Sequence, residues 1–485
     1  MRGMLGYRRA SSRLAVLTAV VLPLAGACTA PGRPAASSAR PTTVSARPAT
    51  VSARPAGQAG WRLSWGNAVQ VPGIDAVSSL ACLSARDCLA GGSTRRGARV
   101  VSERNGRWGT AIALPGMRTV GIASVSCASP GNCAAVGYYA GSLGTFHVLA
   151  AAEHGGRWEK GVDVLRASGL NVYYAWDAEV WCAGTGTCTA RGLFEDNPAR
   201  HDHMFIVSER NGMWGRATVV PGTVGGMHGE VNAMWCDGAG NCLAGGYYGG
   251  GPGDGRALTA TLRHGRWLAG VDLLRTSGLD PAGHSWVSSV SCSSIGNCAA
   301  GGTYTDSHGM YQVFVASERN GRWVAAVKVP GTANLDTRHH PALSSVSCPA
   351  AGFCEAGGHY TVSGDSHAFM TSERAGRWST SVIPGTKDHS SVASVACRSA
   401  GNCVADGQFT TGSGHAQPFV ATERSGRWAA AIEVPGIDSL GNPTVNATIG
   451  PLSCTASGSC TASGSYSYYS DFNYLSSAAF AVTGK

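Results

Sequence analysis

Three carboxylates in the middle of the chain have the residue types that acid–base chemistry requires. Asp177 and Glu179 lie two residues apart, and Glu230 follows farther along the chain. Glycoside hydrolysis needs two such groups at a defined separation, one to protonate the leaving oxygen and one to act as base or nucleophile. Sequence spacing does not fix that separation in space. A carbohydrate-active hydrolase that uses Asp177, Glu179 and Glu230 is therefore the alternative interpretation.

Histidine and tyrosine offer a second route to catalysis, since together they can serve as the base and the acid of a lyase. The chain has 14 of each, so no particular pair stands out. The sequence contains no G-x-S-x-G element, phosphate-binding loop, dinucleotide fingerprint or EF-hand loop. These observations favour binding over catalysis.

Two clusters combine histidine with carboxylates and could hold a metal ion. They are His201, Asp202 and His203 with Glu195 and Asp196, and His339 and His340 with Asp336. Neither cluster has the fixed ligand spacing that marks a metal site. We therefore predict no metal and no cofactor.

Six aromatic residues near the same carboxylates predict a ligand-binding sector. Trp181 and Trp235 stand immediately before a cysteine, where most other repeats have serine or alanine. Indole and phenol planes beside carboxylates suit stacking on sugar rings or holding an aromatic anchor of a peptide. The predicted ligand-binding residues are Tyr173, Tyr174, Trp176, Trp181, Trp235 and Trp286. An equally weighted alternative is that the indoles of Trp181 and Trp235 plug a central channel.

The framework that must position these residues is visible in the cysteines. Of 17 cysteines, one is Cys28 and the other sixteen form eight C-x5-C pairs. We predict a disulfide within each pair: Cys82–Cys88, Cys127–Cys133, Cys182–Cys188, Cys236–Cys242, Cys292–Cys298, Cys348–Cys354, Cys397–Cys403 and Cys454–Cys460. Evenly paired cysteines are typical of a protein exported to an oxidising compartment. Zinc is the weaker alternative, because the spacing is not C-x2-C and no histidine recurs at a fixed offset.

Eight repeats occupy residues 61–485. The first cysteines of successive pairs lie 45 to 57 residues apart, and the clearest repeat contains four short alternating runs separated by turn residues. In the fifth repeat Asn320-Gly321 joins the last two runs, which is the strongest short-range signal of a β-hairpin. The chain has 68 glycines and only 14% charged residues. Such a composition suits many short strands joined by tight turns.

Tandem four-stranded antiparallel units of this size resemble β-propeller blades. The C-x5-C, A-x-G-x-Y and E-R-x-G-R-W elements also resemble the tandem repeats of secreted bacterial propeller-like proteins. The resemblance covers residues 61–485 and implies an all-β fold, a single eight-bladed β-propeller of four-stranded antiparallel blades. It implies no activity, because no catalytic motif accompanies it.

The two ends of the repeat region predict how the ring closes. Repeats one to seven each carry a tryptophan in the fourth strand, whereas the eighth ends without one. Trp65 and Pro72 keep the seven-residue offset of Trp108 and Pro115. The N-terminal strand should therefore complete the C-terminal blade and cover its open edge.

Meander topology sorts the loops into two faces. Connections from strand one to two and from three to four form what we call the disulfide face, where the same turns recur in nearly every repeat. Connections from strand two to three and from four to the next blade form the variable face, which differs in length and chemistry between repeats. Loops on a rigid scaffold commonly carry function, so we expect the ligand on the variable face.

The N-terminal region carries the features of export. Residues 1–27 predict a signal peptide, and the segment from Leu24 to Cys28 resembles a lipobox, which implies lipidation of Cys28. An ordinary signal peptide is the alternative. Residues 28–60 are rich in proline, alanine, serine and arginine and predict a disordered, extended tether.

The net charge of +9 comes mostly from the N-terminal region. Residues 1–60 contain eight arginines and no acidic residue, so residues 61–485 carry 30 Lys and Arg against 29 Asp and Glu. Without a basic surface, nucleic-acid binding loses its main driving force. We predict a monomeric, surface-tethered, non-enzymatic binding protein at the outer face of the cytoplasmic membrane or in the cell wall. Its expected partner is a polysaccharide or an envelope protein, and the lipid anchor is its only expected contact with the membrane.

Overall fold

The computed structural model describes most of the repeat region. The described residues are 63–116, 119–141, 145–196, 202–220, 228–237, 240–249, 255–264, 266–275, 277–279, 283–330, 341–362, 364–386, 389–412, 414–440, 444–469 and 475–485. They belong to the second of the two compact units of the chain, Met1–Gly57 and Gln58–Lys485. The predicted signal peptide, Cys28 and the predicted tether lie outside the described residues. Within the described ranges, no helix is long and apolar enough to cross a membrane.

Eight antiparallel sheets follow one another in a ring, which confirms the predicted eight-bladed β-propeller. The innermost strands, each in contact with its counterparts in both neighbouring blades, are Ala76–Ser84, Thr119–Ser129, Val172–Gly184, His228–Cys236, Ser285–Ser294, Ala342–Ala350, Ser390–Ser399 and Thr444–Cys454. The second strands are Asp87–Thr94, Asn132–Ala140, Thr187–Asp196, Cys242–Gly249, Asn297–Thr305, Phe353–Val362, Asn402–Thr410 and Cys460–Tyr469. The third strands are Gly97–Arg104, Phe146–His154, Asp202–Arg210, Arg256–Arg263, Tyr311–Arg319, Asp365–Arg374, Ala416–Arg424 and Leu475–Gly484.

The outermost strand of each blade is short and in most blades is split into two segments. In blades one to seven these segments are Arg107–Trp108; Arg157–Trp158 and Val162–Asp163; Met213–Trp214 and Thr218–Val219; Arg266–Trp267 and Val271–Asp272; Arg322–Trp323 and Val327–Lys328; Arg377–Ser381; Arg427–Trp428 and Ile432–Glu433. Single 3-10 turns, Arg166–Ser168 and Ile437–Ser439, follow the outermost strands of blades two and seven. Each blade therefore leads into the next through the variable face.

The N-terminal strand closes the ring as predicted. Val69–Val71 pairs antiparallel with the last strand of the chain, with Val69 opposite Ala481. Trp65 forms a bridge with Gly484, the position held by Glu103 opposite Trp108 in blade one. The first and last strands of the described chain thus share one sheet, and the last blade has no open outer edge.

The hydrophobic core lies between blades, not at the centre of the ring. Third strands of five blades place a fully buried phenylalanine there: Phe205, Phe314, Phe369, Phe419 and Phe480. Side chains of two neighbouring blades share each such cluster, as Val315 of blade five packs with Leu343, Val346 and Phe369 of blade six. Each fully buried aromatic side chain stabilises the fold by about 1.5–3 kcal/mol.

The disulfide face is built from paired hairpins. All eight predicted disulfides are formed, and each joins directly opposed residues with Cα–Cα distances of 3.9 to 4.2 Å. In blades one, two, three, five, six and seven the outer hairpin turn rests on the disulfide hairpin, as Gly106 N–H donates to the Arg86 carbonyl at 2.9 Å. Gly321 N–H repeats this contact with the Gly296 carbonyl at 2.8 Å. The E-R-x-G-R-W turn therefore packs against the C-x5-C turn.

Serine hydroxyls on the innermost strands join neighbouring blades. In each case the hydroxyl oxygen accepts a backbone N–H of the next blade at 3.0 to 3.1 Å. We call this set the serine ladder: Ser79, Ser126, Ser289, Ser291, Ser345, Ser347 and Ser453. The serines that precede the first cysteine in several repeats therefore bond neighbouring blades together.

A second set of contacts between blades uses the glutamate and arginine of the E-R-x-G-R-W element. The arginine of one blade reaches the buried glutamate of the next, as Arg319 Nη2 reaches Glu373 Oε1 at 2.9 Å and Arg374 Nη2 reaches Glu423 Oε1 at 2.9 Å. We call these pairs the glutamate–arginine belt. The element is thus explained by packing between blades and not by an activity.

Candidate functional site

The seam between blades three and four has unusual residues at three positions that help to join blades elsewhere in the ring. Trp181 takes the position of a ladder serine, Arg191 the position of a glycine, and Leu262 the position of a belt glutamate. The innermost strands of these two blades have the sparsest contacts of any neighbouring pair. This seam is therefore the most divergent part of the ring.

The indoles of Trp181 and Trp235 meet at the channel end of this seam. Their ring centroids lie 6.4 Å apart and their planes are tilted by 49°. Trp235 packs against the core between blades four and five, whereas Trp181 remains 41% exposed. Each precedes the first cysteine of its blade, so the pair lies toward the disulfide face. We predicted that these two residues lie with the aromatic residues of the variable face. The structure places them toward the opposite face of the ring.

A cavity of about 490 Å³ opens beside the exposed indole. Its walls include Glu179, Trp181 and Met234 from the divergent seam and Leu80 and Leu452 from blades one and eight. The two tryptophans therefore narrow the channel without filling it. The cavity combines one aromatic plane, one carboxylate and several aliphatic side chains, the mixture found in small-molecule sites.

Glu179 and Asp177 share a single buried cation, Arg191. Arg191 lies opposite Glu179 on the second strand and has no solvent exposure. Its Nη2 lies 2.8 Å from Glu179 Oε2, and its Nη1 lies 2.6 Å from Asp177 Oδ2. Nη1 also donates to the Val231 carbonyl of blade four at 2.8 Å. Arg191 thus pairs with both predicted carboxylates, which leaves the group with one net negative charge, and joins the two blades.

The backbone of blade three is distorted to deliver these carboxylates. The pairing of its first two strands slips between Trp176 and Glu179 by one extra residue, the same slip that blade five has between Val287 and Ser289. Asp177 lies in this bulge with a left-handed φ of 51°. A non-glycine residue rarely adopts this conformation, and such strain is found where the surrounding contacts hold it. The bond from Arg191 to the Asp177 carboxylate is one such contact.

Arg191, Asp177 and Glu179, which we call the triad, have electrostatics that favour a charged arginine. Burial alone would lower the pKa of Arg191, but Glu179 and Asp177 together raise it above its ordinary value. Burial within the channel raises the pKa of Glu179, and the Arg191 guanidinium opposes that shift. Asp177 and Glu179 remain a third or more exposed at their side chains. Both carboxylates can therefore meet a ligand while the arginine holds them in place.

Glycines elsewhere show what Arg191 displaces. A Cβ on Gly301, at the same position in blade five, would lie 2.5 Å from Leu343 Cδ1 of blade six. A Cβ on Gly91 in blade one would lie 2.5 Å from Ile122 Cγ2 of blade two. In blades one and five the close approach of the next blade therefore needs glycine, although Val136 in blade two and Asp406 in blade seven hold the same position. In blade three the fully buried arginine side chain holds it instead.

The other predicted aromatic residues form two separate groups. Tyr174 lies 5.3 Å from Phe146 and 5.9 Å from Trp176 between ring centroids, near the start of the innermost strand of blade three. Trp286 packs edge-on against Tyr311 at 6.2 Å in blade five. Five residues of extended strand place Trp176 roughly 16 Å from Trp181. The six residues therefore do not form a single surface.

Glu230 and Tyr173 also lie apart from the triad. Glu230 pairs with Tyr247 across the first two strands of blade four, and it is the neighbouring Val231 carbonyl, not the Glu230 carboxylate, that Arg191 contacts. Tyr173 lies in the innermost strand of blade three, one residue before Tyr174. The structure thus brings together Asp177 and Glu179 but not the third predicted carboxylate.

Histidine–tyrosine pairs are present but are held by structural bonds. Tyr139 donates its hydroxyl to Asp163 at 2.5 Å and stacks on His147 at 5.2 Å. Tyr138 accepts the Ala178 N–H at 2.6 Å, and burial raises the pKa of Tyr138 to about 12. A phenol with that pKa stays protonated at neutral pH. It supports the bulge of blade three and does not provide a base.

One predicted metal cluster is partly described. His203 Nε2 lies 3.1 Å from Asp196 Oδ2, while His201 and the second cluster of Asp336, His339 and His340 lie outside the described residues. Across the described ranges, three potential ligand atoms converge at Glu355, Cys403 and Glu423. Cys403 is bonded to Cys397, and Arg374 Nη2 lies 2.6 and 2.9 Å from the two carboxylates. That cluster is an ion-pair network already occupied by a cation.

Comparison with known proteins concerns the fold alone. No protein-family model and no curated protein matches the chain. It is similar to the β-propeller domain of the Trilobed protease from Pyrococcus furiosus, with 8% identity over 76% of this chain and 98% of that one and a TM-score of 0.40. It is also similar to a protein of unknown function from Dyadobacter fermentans, with 9% identity over 64% and 94% and a TM-score of 0.39. A third is GH43B of the Bacteroides ovatus xyloglucan PUL, with 12% identity over 86% and 94% and a TM-score of 0.27.

Sequence reasoning missed Arg191. A signal for it existed, because Arg191 stands where Gly91, Gly245, Gly301 and Gly357 stand in other repeats. A large cation in a glycine column, opposite a glutamate in a serine column, predicts a cross-strand ion pair. Aligning the repeats column by column would have exposed the pair.

Proposed function

We propose that this protein is an exported, non-enzymatic binding protein whose channel cavity beside blades three and four holds a polysaccharide. The exposed Trp181 indole would stack on a sugar ring, and Glu179 would accept hydrogen bonds from sugar hydroxyls. The single observation that carries the proposal is the exposure of Trp181, 41%, on a cavity of about 490 Å³ inside an otherwise tightly bonded ring. Large apolar planes left open on a rigid scaffold commonly mark binding sites.

The ion-pair geometry supports binding over hydrolysis. A hydrolase needs one carboxyl group as acid and a second as base or nucleophile on opposite sides of the bond to be cleaved. Asp177 and Glu179 instead converge on the same guanidinium, 2.6 and 2.8 Å away. In this arrangement their common role is to hold Arg191 and to present hydrogen-bond acceptors. A protein partner with an aromatic anchor is the other occupant that the same cavity suits.

The alternative, a carbohydrate-active hydrolase, draws its support from Glu179. Burial raises the pKa of this carboxyl, which is the direction a general acid requires. Glu179→Gln would abolish turnover if that alternative held. Under the binding proposal the same variant has no turnover to lose and changes affinity only.

The proposed cellular location is supported by the disulfides and by the N-terminal sequence. Eight disulfides are typical of exported proteins, because the cytosol keeps thiols reduced. Lipidation of Cys28 and a tether over residues 28–60 would hold the propeller at the outer face of the cytoplasmic membrane or in the cell wall. This anchoring is part of the proposal. Metabolic labelling with a fatty-acid analogue, compared with Cys28→Ala, tests it directly.

Co-sedimentation with insoluble polysaccharides and with the producer's cell wall tests the proposed function. The full-length protein should bind at least one of them, and Trp181→Ser with Trp235→Ser should weaken that binding at least tenfold. Serine is the residue of most other blades at these positions, so the variant is expected to fold. Trp286→Ser, which removes an indole from another blade, is the matched control and should bind like the wild type. Equal binding by all three proteins would contradict the proposal.

A further inference from the structure

A second cleft lies on the variable face where blade eight meets blade one. Its volume is about 600 Å³, and it has no residue in common with the cavity at blades three and four. Blade one contributes three arginines to its lining, and blade eight contributes a tyrosine and two serines. They are Arg95, Arg96, Arg99, Tyr468, Ser476 and Ser477.

The two central arginines are held on a tight, well-bonded turn. Arg95 and Arg96 connect the second and third strands of blade one, with Thr94 paired to Gly97 across them. Thr94 Oγ1 donates to the Gly97 carbonyl at 2.8 Å and accepts the Arg96 N–H at 3.0 Å. Turn positions of this kind usually carry asparagine, aspartate or glycine. Turn formation therefore does not explain two arginines there.

The guanidinium groups lack acidic partners in the part of the chain that the structure describes. Other arginines, such as Arg191, Arg319 and Arg374, lie within 2.9 Å of a carboxylate, but no such ion pair involves the three arginines of this cleft. Among the described residues of the lining, the one acidic group is Asp75, which accepts the backbone N–H of Arg95 at 3.1 Å. These described residues therefore contribute three cations and one anion, a net of two positive charges. Residues 61–485 as a whole carry only one.

We propose that this cleft binds an acidic polysaccharide through carboxylate or phosphate groups along its chain. Guanidinium groups form paired, charge-assisted hydrogen bonds to both kinds of anion. The Tyr468 ring and the hydroxyls of Ser476 and Ser477 add the stacking plane and neutral hydrogen-bonding groups that sugars use. A cleft of this volume accommodates a few sugar units and not a nucleic-acid duplex, for which the neutral surface offers no extended basic track. The inference rests on the proposed polysaccharide binding. It adds a second binding site and specifies that the polysaccharide is acidic.

Affinity measurements on the full-length protein test the inference. The ligands are polygalacturonate as the carboxylate polymer, poly(glycerol phosphate) as the phosphate polymer, dextran as the neutral polymer and single-stranded DNA. The wild type should bind one or both acidic polymers more tightly than dextran and DNA. Arg95→Glu with Arg96→Glu should weaken that binding at least tenfold. The acidic polymer that binds identifies the anionic group.

Two further variants separate the cleft from general charge and folding effects. Arg107→Glu with Arg322→Glu changes the net charge equally at two exposed positions of the disulfide face, and it should bind within twofold of the wild type. Arg99→Gln removes one guanidinium without adding a charge and should weaken binding severalfold.

Three results would overturn the inference: acidic polymers bound no better than dextran, DNA bound as tightly as the acidic polymers, or equal losses in the cleft and control variants. Failure of the Trp181 site would be seen separately, because Trp181→Ser would then bind polysaccharide as tightly as the wild type does. Loss on Trp181→Ser but not on Arg95→Glu with Arg96→Glu would remove the cleft and keep the proposed function.

Discussion

The seam between blades five and six and the seam between blades three and four are built at the same positions from opposite residue types. In the first, Ser291 accepts the Cys348 N–H at 3.0 Å, and Gly301 lets Leu343 approach. In the second, Trp181 and Arg191 occupy the serine and glycine positions. The first seam also has the Arg319–Glu373 ion pair, whereas Leu262 removes the equivalent pair from the second.

Under the proposed function, this difference means that the propeller keeps stability and recognition in separate seams. The ring stays closed although this seam gives up close packing. The freed space contains an exposed indole and two carboxylates on one buried cation. This arrangement is the basis of the proposed binding site, and it adds no close packing between the blades.

Removal of the buried cation should have the largest effect. Arg191→Met leaves Asp177 and Glu179 beside each other without a counter-charge and removes the bond to blade four. Breaking a buried ion pair from one side typically costs about 3–5 kcal/mol of unfolding free energy. Urea unfolding with the disulfides intact measures the loss.

The matched control for that variant restores the serine and glycine that blade five has at its seam with blade six. Arg191→Gly combined with Glu179→Ser recreates the serine and glycine of blade five, and only Asp177, a third exposed, keeps a charge. Its unfolding free energy should lie closer to the wild type than that of Arg191→Met. A double variant less stable than Arg191→Met would show that the triad is not the reason for the loss.

The seam between blades eight and one is an intermediate case, because it keeps a belt glutamate but no arginine partner. Burial, together with Asp87, raises the pKa of Glu103 to about 7, and Lys485 opposes the shift. A carboxyl group whose pKa is raised on folding stabilises the protein below its unfolded pKa and loses that contribution as pH rises through the folded value. Stability from Glu103 should therefore fall by about 3 kcal/mol between pH 4.5 and pH 8.

Glu103→Gln should flatten this pH dependence, as measured by thermal unfolding at pH 5 and pH 8. Glu373→Gln is the control, because Glu373 has an arginine at 2.9 Å and its loss should destabilise the protein without flattening the profile. The account of the belt would be contradicted by an identical flattening in both variants.

A ladder serine should have the smallest effect. Ser291→Ala removes one neutral hydrogen bond between blades five and six, which is typically worth about 1 kcal/mol. Ala396 holds the same position in blade seven, so Ala396→Ser should add up to a similar amount by offering an acceptor to blade eight. Chemical unfolding of both variants measures the two changes, which should have opposite signs.

The sequence predicted the fold well because its signals are local and repeated. Each C-x5-C pair closes its own hairpin, and the offset from Trp65 to Pro72 marks the displaced strand without any knowledge of distant contacts. Eight similar repeats leave few topologies that close. Both the blade count and the closure are therefore confirmed.

The site could be predicted only in part, because it depends on contacts between blades. Sequence reasoning found Glu179 and Trp181 as departures from the repeat but could not show that Arg191 joins them to Val231 of the next blade. It also treated six aromatic residues as one sector. A strand separates Trp176 from Trp181 by roughly 16 Å, so neighbours in sequence are not neighbours in the site.

The unfolding free energy of Trp181→Ser tests the central claim most directly. If Trp181 is present for a ligand and not for the fold, serine at this position should keep the unfolding free energy within about 1 kcal/mol of the wild type, because the new hydroxyl faces the N–H of the next blade as in the serine ladder. A loss of about 3–5 kcal/mol, the range for removing a packed tryptophan, would contradict the claim. That result would make Trp181 a structural plug of the channel.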